Sequence, residues 1–305
     1  MLTVPAHEAG AGARALRRAA HVLETAGLSG SLLVRHLGTG HELALDADRP
    51  FPLASVAKLP LAAAALDAAQ QGRLDLSMPV RIDDQSRSQG GPGIARFTHP
   101  VTIAVGDLIR LAIEISDNTA ADAIFGIVSP LDVTNWLRAL GTSGVVLRHP
   151  IGELYASLAT QTITRDAATV HSLVVSADRQ GHPSPLPQLD IERANAGTAR
   201  GLADLLQKIW DGSVGDAVAA PLREMLAANV FRHRLAPDFS ADTSVWHSKT
   251  GSFVHLRHEA GVVEHLGGDS LVVVALTRSR VPAVIQPSAE QAMGHAARIL
   301  HDELV

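Results

Sequence analysis

Ser55 and Lys58 stand three positions apart in Ser55-Val56-Ala57-Lys58, and two further short motifs follow, Ser116-Asp117-Asn118 and Lys249-Thr250-Gly251. A Ser-x-x-Lys tetrad alone arises by chance in most chains. All three motifs in this order, with 61 and 133 positions between their first residues, do not. The chemistry they fit is acyl transfer. A serine hydroxyl is a weak nucleophile at neutral pH until a neighbour takes its proton. A lysine does so when burial or nearby positive charge lowers its pKa. Residues three apart share a helix face, so a helix starting near Ser55 lets the two side chains hydrogen-bond. The start of a helix also turns backbone N–H groups outward, where the amide of the nucleophile helps to bind an oxyanion.

The other two motifs supply what remains. Ser116 can relay a proton to a leaving group, and Asn118 can hold a substrate amide or orient Lys58. Lys249 adds positive charge, and a strand carrying Thr250 and Gly251 offers backbone groups to an extended substrate. Gly251 suits a close approach by another backbone or a ligand. The amide of Ser252, just beyond it, is a candidate second oxyanion donor. Asp117 reads as a buried hydrogen-bonding support rather than a reacting group.

The elements that must position these groups are legible in outline. Pro50 and Pro52 precede the tetrad, Ser55 can cap a helix, and Leu59, Leu61, Leu66 and the Ala62–Ala65 run continue it. Pro60 is tolerated there only near the helix start. Further helices are expected over Ala13–Ala26, Val105–Glu114, Thr119–Ile127, Leu131–Leu140, Gly201–Trp210 and Ser288–Leu304. Ser31–Leu37 and His41–Asp46 flank Gly38-Thr39-Gly40 as a hairpin, and Val245–Ser248, Ala260–Glu264 and Ser270–Thr277 read as strands. Strands at both chain ends around a helical middle predict an α+β fold. Its sheet lobe is drawn from residues 1–54 and 231–305, with a helical lobe inserted over 55–230 and the site in the cleft between them.

With its motifs and their flanks, the chain resembles the penicillin-recognising serine hydrolases, in the class A β-lactamase branch. The flanks are Phe51-Pro52-Leu53-Ala54, Ala112-Ile113-Glu114-Ile115, Asn118-Thr119-Ala120-Ala121, Trp136-Leu137-Arg138-Ala139-Leu140-Gly141 and His247-Ser248-Lys249-Thr250-Gly251. The similarity runs from about Leu16 to the C-terminus. It implies a β-lactamase/transpeptidase-like fold, an antiparallel sheet lobe with an all-helical insert. It also implies a serine hydrolase opening a β-lactam or related amide or ester through an acyl-enzyme on Ser55, as in antibiotic resistance or β-lactam catabolism. No cofactor is implied, and the partner is a small lactam or acyl substrate. Two alternatives stay open: a penicillin-binding peptidase or esterase with slow deacylation, and a non-enzymatic binding protein of the same fold.

The resemblance weakens over about 148–200, where Ser116 and Lys249 stand further apart than in the family. Gly181-His182-Pro183-Ser184-Pro185-Leu186-Pro187 marks this stretch as an expanded loop. The family carries a water-activating glutamate there. Direct alignment puts Ile151 in its place, matches Glu153-Leu154 to a neighbouring Glu-Leu pair and sets Tyr155 where an asparagine is usual. A two-residue slip makes Glu153 the base; Asp166 and Glu192 are further options, and a solvated loop carboxylate is the plain reading of Glu153. Arg257 is a candidate partner for a substrate carboxylate, or else half of a structural ion pair. Arg278 is a second candidate.

Composition excludes several classes. With 305 residues and 46% hydrophobic content, the chain can bury a large core. A net charge of −5 gives no reason to invoke nucleic acid or an anionic membrane, and 3% aromatic content argues against base-stacking platforms. No apolar run is long enough to span a bilayer. Fifteen histidines include no metal-binding spacing, so no metal is expected. Gly90-Gly91-Pro92-Gly93 reads as a turn, since no lysine and hydroxyl follow to make it a phosphate loop. Cysteine is absent, so no disulfide framework exists. The N-terminus has no basic and apolar leader pattern, which leads us to expect a cytoplasmic chain, although the resembled family usually works outside the cytoplasmic membrane.

Overall fold

A computed structural model describes residues 10–162, 166–281 and 285–305. Its frame is a five-stranded antiparallel sheet in the order β2-β1-β10-β9-β8. The strands are β1 (Leu28–His36), β2 (Glu42–Leu45), β8 (Ser244–Phe253), β9 (Leu256–His265) and β10 (Ser270–Ser279). Alternate side chains of a strand face opposite ways, and here both faces are covered. Leu33, Val272, Val274 and Leu276 pack towards the helical lobe. Leu32, Val34, Val273 and Ala275 pack under α1 (Ala11–Thr25) and α11 (Pro287–His301). That double burial explains why β10 reads as an unbroken apolar run rather than an alternating one.

A three-stranded and a two-stranded piece complete the described β structure. β3 (Phe51–Pro52) pairs with β7 (Ala196–Gly197), which also pairs with β6 (Val145–Val146). β4 (Pro79–Ile82) pairs with β5 (Val101–Ala104). The helical lobe is built from α2 (Lys58–Gln70), α3 (Val105–Glu114), α4 (Asn118–Phe125), α5 (Pro130–Ala139), α6 (Gly152–Thr162), α7 (Ala167–Gln180), α8 (Ala199–Trp210) and α9 (Asp216–Ala227). A short turn of helix, α10 (Ala236–Phe239), precedes β8. Every residue of α2 from Lys58 to Ala68 is buried. A helix covered on all sides shows no amphipathic stripe, and its alanines allow that close packing. Among the described residues, no helix is long and apolar enough to cross a membrane.

Two expectations need correction. The helix expected to start at Ser55 starts at Lys58; Ser55 lies in a preceding 3₁₀ turn (Ala54–Ala57), and no side chain caps either segment. The stretch over 148–200 is not simply an extended loop, because it contains α6 and α7. Asp166 caps α7 by accepting the Thr169 amide at 2.8 Å, and Gly181 closes it with φ +69°. Val170, Val174 and Val175 bury one side of α7. The proline-rich chain begins only after Gly181.

Candidate active site

The nucleophile sits on a short, braced approach. Leu53 N–H donates to the Asn195 carbonyl at 2.7 Å. His258 Nε2 donates to the Pro52 carbonyl at 2.9 Å while its Nδ1 accepts from Thr277 N–H at 3.1 Å. Burial pushes the His258 imidazole down to about 3, so it is neutral and holds that tautomer. Ala54, immediately before Ser55, takes φ +48°. A non-glycine residue there costs roughly 1–2 kcal/mol, the kind of local strain that collects at functional sites. Gly251 of β8 crosses directly beside this turn. A Cβ at 251 would stand 2.8 Å from the Leu53 carbonyl oxygen and 3.1 Å from the Val56 nitrogen. Only glycine lets the edge strand come so close.

Lys58 opens α2 with its side chain wholly buried. Its Nζ lies 2.6 Å from the Ser116 carbonyl, 2.7 Å from Asn118 Oδ1 and 3.2 Å from Ser116 Oγ. Among the described residues no hydrogen bond joins it to Ser55 Oγ, contrary to the pairing expected from the tetrad. A 3₁₀ turn eclipses residues i and i+3, so the two still share a face, but the amine is drawn to the second motif. Burial lowers Lys58 to about 7, opposed by the charges of Asp117 and Asp122. A neutral amine has two N–H groups and one lone pair. The two shortest contacts are to acceptors that can only receive those N–H groups, so the lone pair is left for a hydroxyl.

Lys249 reaches the same place from β8, with Nζ at 2.9 Å from Ser116 Oγ and 3.0 Å from the Thr250 carbonyl. It too is fully buried. Its pKa is held well below the usual lysine value, first by burial and then by Lys58 and Arg234, against Glu259. Ser116 stands between the two amines with φ +57°. The rest of the second motif is structural. Asp117 caps α4 by accepting Ala120 N–H at 3.0 Å and receives Ile94 N–H at 2.7 Å. Asn118 Nδ2 donates to the Gly90 carbonyl at 3.2 Å. These bonds fasten the glycine-rich turn against the motif, and a Cβ at Gly93 would overlap Asp117 Oδ2.

The cleft is small, about 180 Å³. Ser55, Ser116, Asn118, Thr250 and Ser252 line it, with Gly91, Pro92, Tyr155, Phe231 and His233 closing it. Thus the glycine-rich turn is a wall of the site, a role no spacing announced. Tyr155 packs edge-on to Phe253 with ring centroids 5.9 Å apart. Arg234 was also unmarked in sequence. It is 2% exposed and gives its donors to Glu290, to the Gly251 and His258 carbonyls at 2.9 and 2.7 Å, and to Ser252 Oγ at 2.5 Å. With its donors spent, the guanidinium reaches the cleft through the Ser252 hydroxyl, whose own proton is free to donate. Among the described residues, no cluster of three or more His, Cys, Asp or Glu side chains could hold a metal ion.

The chain matches the model of the β-lactamase enzyme family over residues 14–304. It belongs to that family. The β-lactamase regulatory protein BlaB of Streptomyces cacaoi is 43% identical over 302 residues, covering 95% of this chain and 97% of that protein. In structure the chain is similar to a β-lactamase from Chitinophaga pinensis, with TM-score 0.78 at 19% identity over 96% of this chain and 100% of the other. It is also similar to a leucine-to-glutamate variant of PBP-A in its acyl-enzyme complex with penicillin G. There the TM-score is 0.75 at 18% identity, covering 95% and 96% of the two chains. The β-lactamase/transpeptidase-like fold is therefore that of this chain.

Within this β-lactamase-family frame, the structure brings Ser55, Lys58, Ser116, Asn118, Lys249, Thr250, Gly251 and Ser252 together, and leaves the other candidates outside. Glu153 is exposed on the first turn of α6 and is no part of the cleft wall. Asp166 caps α7, and Glu192 is exposed in the following segment. What faces inward at the start of α6 is Ile151, 1% exposed. The Asp122 carboxylate receives the Ile151 and Gly152 amides at 2.6 and 2.8 Å and the Ser88 hydroxyl, while burial raises its pKa. Arg257 is fully buried, bonded to the Val254 and Leu256 carbonyls and 3.6 Å from Glu290. It takes the ion-pair reading: although it stands opposite Ser252 in the ladder, its guanidinium is buried against Glu290 and is no part of the cleft wall. Arg278 pairs with Asp178, away from Ser55.

Proposed function

We propose that this chain is a serine acyl hydrolase of the β-lactamase family. Ser55 is acylated by small cyclic amides of the β-lactam type, and the acyl group leaves slowly. The observation that carries this reading is the combination of a full set of acylating groups with a cleft whose described lining contains no carboxylate.

In the proposed reaction the Lys58 free base takes the Ser55 proton as Oγ attacks the lactam carbonyl. The amides of Ser55 and Ser252 hold the oxyanion. As the C–N bond breaks, Ser116 Oγ gives its proton to the leaving nitrogen and is reprotonated from the lysine pair, which returns Lys58 to its starting state. Thr250 and the Ser252 hydroxyl, polarised by Arg234, bind a substrate carboxylate. Release needs a water activated by a base. Glu153 is too exposed to serve, and Tyr155 occupies the wall where a polar water-holding side chain is usual in the resembled family.

A second reading is a lactam-binding regulator without turnover. The name of the Streptomyces cacaoi relative supports it, and a long-lived acyl-enzyme suits such a role as well as it suits a slow hydrolase. Intact-mass labelling with a penicillin, run beside hydrolysis of a chromogenic cephalosporin, separates these readings. Stable labelling that depends on Ser55, with slow product formation, supports the proposal; labelling without any product, or reversible binding with no mass change, supports the second reading; fast turnover overturns both.

A further inference from the structure

A second, roomier cavity lies apart from Ser55. It holds about 700 Å³ and lies between α7, the 181–193 segment, the Arg49–Pro52 approach and the ends of β9 and β10. It shares no lining residue with the Ser55 cleft. Its size falls in the range of roughly 300–1,000 Å³ usual for small-molecule sites. Much of its wall is the 148–200 stretch, where the chain departs from the resembled family's spacing.

The wall is amphipathic and carries a surplus of positive charge. Three guanidiniums, Arg49, Arg193 and Arg278, face two carboxylates, Asp178 and Asp190, leaving one net positive charge among these five groups. His255 adds none at neutral pH. Burial lowers its imidazole to about 4, with Arg278, Arg257 and His171 acting the same way against Asp178. Arg49 and Arg278 both stand over the Phe51 ring, with Cζ 5.2 and 5.9 Å from its centroid. Such stacking fixes guanidinium planes. Arg278 spends Nη1 on Asp178, and its Nε is buried with no hydrogen-bond partner among the described residues. On the same wall His255, 4% exposed, has a buried Nδ1 that is also unpartnered. Buried polar atoms in folded proteins are nearly always satisfied; these two lie unpaired just within the wall of one charged cavity, and Arg278 Nη2 takes no hydrogen bond among the described residues either.

We propose that this cavity binds a small amphipathic carboxylate, its head on the unbonded Nη2 of Arg278 and its apolar body against Phe51, Val174, Leu189 and Ile191. A carboxylate takes a strong charge-assisted hydrogen bond from a guanidinium, and one net positive charge suits a monoanion better than a phosphate dianion. The proposal goes beyond the Ser55 chemistry and does not depend on it.

Calorimetric titration of the full chain with phenylacetate, and with phenylacetamide as the uncharged control, tests it. Phenylacetate should saturate one site, the amide should bind about tenfold more weakly or less, and Ser55→Ala should bind phenylacetate as the parent does. Arg278→Gln should weaken phenylacetate by about tenfold. Should Arg278→Gln fail to fold, Arg49→Gln, at a partly exposed position, decides by the same loss. No saturable binding, equal binding of acid and amide, loss of binding in Ser55→Ala, or no effect of the folded arginine variants overturns the proposal.

Discussion

Lys58 and Lys249 end on one hydroxyl: Ser116 Oγ lies 3.2 Å from the first amine and 2.9 Å from the second. One lysine comes from the start of a buried helix and the other from the edge strand of the sheet, so the hydroxyl is where the two lobes meet chemically. Both amines are wholly buried, and each ammonium disfavours the other across a single oxygen. The arrangement favours one free amine beside one charged one, with a hydroxyl to carry protons between them.

That state sets a pH dependence. The free base of Lys58 is the form that can accept the Ser55 proton, and burial brings its pKa to about 7. Below that pH the amine is protonated and has no lone pair. Acylation should therefore fall by about tenfold for each pH unit below 7 and level off above it. Single-turnover labelling across the neutral range checks this. Lys58→Met should slow labelling by roughly 10²–10⁴-fold, and a rate indifferent to pH would contradict the assignment.

Tyr155 limits what the cleft accepts. Its ring packs on Phe253, and a Cβ at Gly90 would stand 2.7 Å from it, so it has little room to move. Tyr155→Ala should speed acylation by lactams with bulky side chains relative to small ones, by about tenfold in the ratio of kcat/KM values. The ratio, measured on folded variant and parent, is the test; an unchanged ratio would show that the tyrosine does not gate the site.

Arg234 should matter more to stability than Ser252. Removing its guanidinium leaves Glu290 buried with weaker partners and orphans two carbonyls of the sheet. Arg234→Ala should cost about 3 kcal/mol or more in urea unfolding. Ser252→Ala keeps that network and should change stability by about 1 kcal/mol at most, while raising KM for carboxylate-bearing lactams.

Glu153→Gln should leave both stability and the rate of acyl release unchanged within about twofold, since the side chain is exposed and bonds to nothing among the described residues. A clear drop in release, followed by mass spectrometry of preformed acyl-enzyme, would return Glu153 to the site.

The three motifs were legible because acyl transfer constrains residue type and order, and the sheet was legible because its strands are apolar and its β1–β2 turn is glycine-rich. The β8–β9 hairpin was not. It turns at Val254 with φ +50° and no glycine, a strained connection that tertiary packing imposes against local preference. The start of α2 was misread and α6 was missed altogether, for related reasons: α2 has no capping side chain to mark it, and α6 is anchored by Asp122, 29 positions before Ile151. Arg234 and the Gly91–Pro92 wall depend on contacts across the chain that carry no spacing of their own. Arg257 had the right chemistry for a carboxylate, and the register sets it opposite Ser252, but it is buried against Glu290 instead.

The central claim is that Ser55 is acylated and stays so. The most direct measurement is intact-mass spectrometry of the chain after mixing with penicillin G, sampled over time beside product formation, with Ser55→Ala as control. The account predicts one equivalent of added acyl mass, absent in Ser55→Ala, that persists well beyond the time of labelling while product accumulates slowly. Rapid product formation with no accumulating adduct, or no adduct at all on the folded chain, would contradict it.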